Sequence, residues 1–190
     1  PDQYRSVVSL VKSMLNYGAA AQIQFNYDTD KLANSIPEMV NDKEVKKVIF
    51  DDTYKCDVTT VKDSGIHWYG NSLVLESDTC YRYYFYLDPG NSIDDYSFFC
   101  NSLPLNPVAK DMYYYVEISN IKAQSLANKI EVVVKRQEDD IIKVRYSAFS
   151  YAYDLQQLAQ PNGYDNMKKV TYAMYQYWKM AEQYVKNKTI

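Results

Sequence analysis

A single histidine, His67, is the first scarcity in this 190-residue chain. It removes metal centres built from several imidazoles and leaves any histidine-based catalysis resting on one side chain. Cysteine is also scarce: Cys56, Cys80 and Cys100 contain no C-x-x-C pair, so zinc and dithiol signatures are missing. Five glycines and six prolines are too few for a flexible linker or a low-complexity tract. No run reaches the roughly 18 apolar residues that a membrane-spanning helix needs. A basic excess is missing too, with 21 Lys and Arg against 24 Asp and Glu and a net charge of -3, which argues against nucleic acid as a partner. The lysines are scattered, with small pairs at Lys46-Lys47 and Lys168-Lys169.

What is abundant is tyrosine, 21 residues in all. Its ring is apolar and its tip polar, so it suits half-buried sheets and wet interfaces. The chain is 47% hydrophobic and 24% charged, the balance of a globular domain. A domain of this length hides roughly 70% of its unfolded surface and needs no covalent staple. It starts at Pro1 and turns helical almost at once, which we read as a module excised from a larger protein, so the lack of a leader says nothing about compartment.

Apolar residues recur every three or four positions from Tyr4 to Phe25 and again from Tyr164 to Val185, predicting two long amphipathic helices. Val7, Leu10, Met14, Tyr17, Ala21 and Phe25 match Met167, Val170, Met174, Tyr177, Ala181 and Val185 at an offset of 160. Such a match arises from a weak internal repeat or from amphipathic spacing alone. Gly18-Ala19-Ala20-Ala21 forms a smooth patch for close approach. A third helix is expected over Ser147–Leu158, with a turn at Pro161-Asn162-Gly163.

Between them, β-branched and aromatic alternation predicts eight strands: Val45–Phe50, Thr53–Val61, Ile66–Leu75, Cys80–Leu87, Tyr96–Cys100, Met112–Ile118, Ile130–Lys135 and Ile141–Tyr146. The expected fold is α+β, an antiparallel β-sandwich or bent sheet of about eight strands bracketed by N-terminal and C-terminal helices. As one module of 190 residues it divides into a helical segment 1–35, a sheet core 45–146 and a helical segment 147–190 that packs with the first.

Cys80 and Cys100 flank two of these strands and the turn Asp88-Pro89-Gly90-Asn91. If those strands form one hairpin, the two thiols face each other at about 4.5–5.5 Å between Cβ atoms, within reach of a disulfide after small adjustment. The alternative is three buried thiols. Asn26, Asp28 and Asp30 copy the start of a calcium loop, but Lys31 and Pro37 stand where Gly and Glu belong. The other reading of that stretch is a helix C-terminus, with Asp30 capping a short helix over Lys31–Ser35. Asp88, Asn91, Asp94 and Asp95 form an equally weak second acidic loop. Acids at Asp51-Asp52, Asp94-Asp95 and Glu138-Asp139-Asp140 fall in turns, and no G-x-S-x-G motif accompanies His67, so neither a carboxylate-pair hydrolase nor a nucleophilic enzyme is expected.

Several phrases resemble a module of large secreted and cell-surface proteins of Gram-positive anaerobic gut and rumen bacteria. They are Leu15–Gln22 (LNYGAAAQ), Phe25–Asn34 (FNYDTDKLAN), Tyr69–Thr79 (YGNSLVLESDT), Tyr113–Ile118 (YYYVEI) and Tyr146–Tyr153 (YSAFSYAY). Arg82 and Tyr84-Phe85 follow the third phrase and belong with it. The resemblance covers nearly the whole chain in order. It implies an extracellular, non-catalytic module beside repeats, dockerins or glycan-active domains, and it carries over no catalytic residue. Trp68, Cys80 and Cys100 depart from the pattern.

Two functions from different classes follow as expectations. One is glycan binding, with polysaccharide stacked on exposed rings and held by amide and carboxylate groups. Its candidate residues are Trp68, Tyr69, Arg82 and Trp178, and it requires neither metal nor cofactor. The other is a structural spacer whose partners are neighbouring modules of the same parent protein. Alternation places Trp68 and Tyr69 on opposite faces of one strand, Tyr81, Tyr83 and Phe85 on one face of the next, and Arg82, Tyr84 and Tyr86 on its other face. Tyr113 and Tyr115 oppose Tyr114 in the same way.

Overall fold

A computed structural model of the chain describes residues 2–35, 45–76, 78–158 and 163–188. These residues form two compact units. One, residues 54–122 and 126–151, holds the sheets; the other, residues 1–53, 123–125 and 152–190, is mostly helical.

The chain is α+β, and its sheet unit is sandwich-like, with nine strands among the described residues. Its five-stranded sheet has the order β1 (Asp57–Thr60), β9 (Asp139–Tyr146), β8 (Ile130–Arg136), β4 (Ser97–Cys100), β5 (Leu103–Leu105). The four-stranded sheet has the order β2 (Ile66–Leu75), β3 (Thr79–Leu87), β7 (Tyr113–Ile118), β6 (Val108–Lys110). Every neighbouring strand pair among the described residues is antiparallel.

The core lies between the two sheets. Phe85 of β3 meets Phe98 of β4 at 5.3 Å between ring centroids, and Tyr81 and Tyr83 both set their rings edge-on to Tyr146 of β9. Buried phenols need hydrogen-bond partners. Tyr83 donates to the carbonyl of Ile130 at 2.9 Å, and Tyr81 accepts from the amide of Ala148 at 2.9 Å. That amide opens α2 (Ala148–Gln157), where Ser147 and Ser150 also exchange side-chain-to-backbone bonds of 3.1 and 3.2 Å. This is a reciprocal cap for a helix start that lies in the interior.

The hairpin expected between Cys80 and Cys100 does not form. β3 pairs with β2 and β7, while β4 pairs with β5 and β8 in the opposite sheet. Cys80 therefore faces Val74 in register and Cys100 faces Leu103 and Val132. All three cysteines are free thiols, and burial pushes those of Cys80 and Cys100 upward in pKa, keeping them protonated. The acids between these strands serve local structure. Asp88 pairs with His67, Asn91 accepts from the Tyr96 hydroxyl, and Ser92 with Asp95 caps the 3-10 turn Ile93–Asp95.

In the helical unit, α1 (Asp2–Phe25) packs along α3 (Asp165–Lys188), with Tyr17 stacked on Tyr177 at 5.8 Å. The 31–34 turn folds back on α1, and Ala33 comes so close to Gly18 that an added Cβ would lie 3.2 Å from the alanine methyl. Gln22 organises that turn: its amide donates to the carbonyls of Asp28 and Lys31, and its oxygen accepts from the Ala33 amide at 2.7 Å. Asn26, at φ 51°, and the Tyr27 amide bonded to the Gln22 carbonyl end the helix in a Schellman-type turn. The Asn26-x-Asp28-x-Asp30 stretch thus follows directly on the C-terminus of α1. The short helix over Lys31–Ser35 is replaced by isolated turns.

Val45–Phe50 is not a strand. The Gln156 side chain takes both the amide and the carbonyl of Phe50, occupying the groups a neighbouring strand would use. Two short strands, β5 and β6, were not expected, and Pro161 and Asn162 of the predicted turn lie outside the described residues.

Candidate functional site

The outer face of the four-stranded sheet gathers six rings. Alternation along β3 sends Tyr81, Tyr83 and Phe85 inward, each 0% exposed, and Arg82, Tyr84 and Tyr86 outward. Register carries the outward set sideways: His67 lies opposite Tyr86, Gly70 opposite Tyr84, Ser72 opposite Arg82, and on the other flank Tyr115 opposite Tyr84 and Glu117 opposite Arg82.

Three ring pairs result. His67 stacks on Tyr86 at 4.8 Å, Tyr84 tilts against Tyr115 at 5.6 Å, and Tyr69 stacks on Tyr113 at 4.3 Å. Such pairs contribute about 0.5–1.5 kcal/mol beyond the area they bury, so the platform holds its own shape. Tyr69 is the bulge residue of β2, where pairing slips between Trp68 and Gly70. A bulge re-aims its side chain, and Tyr69 is 59% exposed. Because β3 lies between the strands carrying Tyr69 and Tyr113, their stack spans the middle strand as an arch. Hydrogen bonding to Tyr69 raises the Tyr113 phenol above its ordinary pKa.

Polar groups frame the rings. At one end the Arg82 Nε donates to Glu117 at 2.6 Å, and the guanidinium lies 5.1 Å above the Tyr115 ring centroid. The bond to Glu117 raises the arginine further above its already high pKa. The second Glu117 oxygen accepts from Ser119 at 3.1 Å, and Ser72 makes a long 3.4 Å contact to the Tyr84 hydroxyl. At the other end His67 Nε2 meets Asp88 at 2.9 Å. Gly70 leaves a gap in the middle, since a Cβ built there meets nothing within 4 Å.

Of the residues expected to bind, Tyr69 and Arg82 lie on this face. Trp68 does not: it sits opposite Phe85 on the inward side, half-buried, its indole donating to Asn71, which in turn bonds Cys56. Trp178 belongs to α3 of the helical unit, half-buried and tilted against Tyr175 at 5.4 Å. The other platform members, His67, Tyr84, Tyr86, Tyr113 and Tyr115, were missed as a set, although alternation already marked which tyrosines share a face.

The helical unit holds a cavity of about 390 Å³ lined by Ala19, Ala20, Ile23 and Leu32. Asn16, Asn34, Asn166 and Lys169 also line it, and Asn34 donates to Asn16 at 3.0 Å. Among the described residues no three or more His, Cys, Asp or Glu converge as a metal site, and no helix is long and apolar enough to cross a membrane. Comparison with family models, curated proteins and solved structures found no match.

Proposed function

We propose that the chain is a non-catalytic, extracellular module of a bacterial surface or secreted multimodular protein, and that it binds polysaccharide on the outer face of its four-stranded sheet. The observation that carries this is the row of outward rings, His67, Tyr69, Tyr84, Tyr86, Tyr113 and Tyr115, with polar groups at both ends. A pyranose presents C–H groups on one face and hydroxyls around its rim. Rings take the first, and Arg82, Ser72 and the tyrosine hydroxyls meet the second. The Glu117 and Asp88 carboxylates are each held by a neighbouring side chain, an arrangement suited to holding shape rather than to proton transfer. The resemblance of five phrases to gut and rumen surface modules supports the extracellular setting. Weak single-site affinity would be multiplied by repetition along a parent protein.

Calorimetry against starch, cellulose, xylan and mucin glycans tests this. At least one should bind, and Tyr84→Ala and Tyr115→Ala should each weaken it about tenfold, or about 1.4 kcal/mol, whereas Trp68→Ala and Trp178→Ala should not. Silence across the panel, or binding indifferent to both tyrosines, rules the proposal out.

A second reading, a spacer that docks against a neighbouring module, is favoured by the helical unit. There Tyr4 (75% exposed), Val7 and Met14 share one side of α1, and Ile49 is 81% exposed. Pull-down with adjacent modules of the parent protein separates the two readings.

A further inference from the structure

Resting on the platform reading, we propose that this face takes the end of a glycan chain rather than its middle. The terminal pyranose would sit on Tyr84 in the gap above Gly70, with the Tyr69–Tyr113 arch as the end wall.

Three observations on the same face carry it. First, Gly70 lies opposite Tyr84 and is the outward position of β2 that lacks a side chain, and a Cβ there would stand in open space. With rings in the adjacent His67–Tyr86 row and none in the Ser72–Arg82 row, that gap leaves the β2 side of Tyr84 without a covering side chain. Second, the bulge places Tyr69 between His67 and Gly70, and its stack on Tyr113 crosses β3 on the Tyr86 side of Tyr84. A chain lying lengthwise over Tyr84 meets these two rings and has to stop. Third, at the opposite end the row Ser72–Arg82–Glu117 carries no aromatic ring: the guanidinium lies over the Tyr115 ring and is tied to Glu117, so no aromatic wall closes that side. One end closed by aromatics and one end open and polar is the shape that receives a chain terminus. The hydroxyls next to the first linkage would then fall beside Arg82 and Ser72.

Starch, cellulose and xylan, intact and after acid hydrolysis to short oligosaccharides, provide the probe. The wild-type chain should bind more sites per gram after hydrolysis, rising at least severalfold with the number of chain ends, and Gly70→Leu should lose at least tenfold in affinity with its thermal transition unchanged. Tyr69→Ala should open the wall and raise the binding of intact polymer relative to oligosaccharide. A site density that stays level or falls on hydrolysis overturns the chain-end proposal while leaving the platform standing. So does Gly70→Leu binding as well as wild type. No binding of any of the three in either form overturns the chain-end proposal, and silence toward mucin glycans as well overturns both.

Discussion

β3 offers a comparison within nine residues. Its inward tyrosines, Tyr81 and Tyr83, and its outward ones, Tyr84 and Tyr86, share strand, sheet and chemistry, yet they meet opposite conditions. Inside, both phenols are sealed and each hydroxyl is matched to one backbone group, Ile130 O or Ala148 N. Outside, rings pair with rings, Tyr86 is 38% exposed and the Tyr84 hydroxyl makes a long 3.4 Å contact to Ser72. A tyrosine in the core is a hydrophobe that also demands one well-placed partner. A tyrosine on the outer face keeps its edge and tip available for something else. Stability should therefore reside in the inner row and recognition in the outer one, and each can be perturbed without the other.

The largest effect should come from Phe85→Ala. It empties a fully buried site against Phe98 and should lower stability by about 3–5 kcal/mol in chemical denaturation. Next is Tyr81→Phe, which removes the acceptor for the Ala148 amide and leaves a buried donor unmatched at the start of α2. A loss of about 1–3 kcal/mol is expected, with reduced protection of that amide in hydrogen exchange. Tyr84→Ala should change stability by less than about 1 kcal/mol while removing most glycan affinity, the reverse of the inner pattern. Smallest is Glu117→Gln, which breaks a partly exposed ion pair and should shift stability by about 0.5 kcal/mol.

Alkaline pH separates the rows in another way. Burial raises the Tyr83 phenol well above its ordinary 10.0, so the folded state retains that proton where the unfolded chain releases it. Its contribution is fully present below about pH 10 and is lost as pH rises above that value. Spectrophotometric titration of tyrosinate should find Tyr83 ionising only together with unfolding, and Tyr83→Phe should remove that part of the alkaline loss.

Much of this was legible in the chain. The alternation of residues 81–86 separated the two faces correctly, and the periodicity of 4–25 and 164–185 located the long helices, because both signals are local. Partnership between strands is not local. Nothing in the stretch between Cys80 and Cys100 tells that β4 leaves for the other sheet, so a disulfide that looked reachable is replaced by two separate thiols. β5 is three residues long with Pro104 in it, tolerated because it is an edge strand, and gives almost no periodic signal. Phe50 looked like part of a strand because its true partner, Gln156, is 106 residues away. The bulge at Tyr69 is a property of pairing, so the arch it makes, and the shift of the candidate site away from Trp68 and Trp178, emerged only from the fold.

The most direct test follows ring-labelled tyrosines by NMR while polysaccharide oligomers from the starch, cellulose, xylan and mucin panel are added. Signals of Tyr69, Tyr84, Tyr86, Tyr113 and Tyr115 should move along a saturating curve while those of Tyr81, Tyr83 and Tyr146 stay in place. Movement confined to tyrosines of the helical unit, or no movement anywhere, would contradict a recognition role for the outer face.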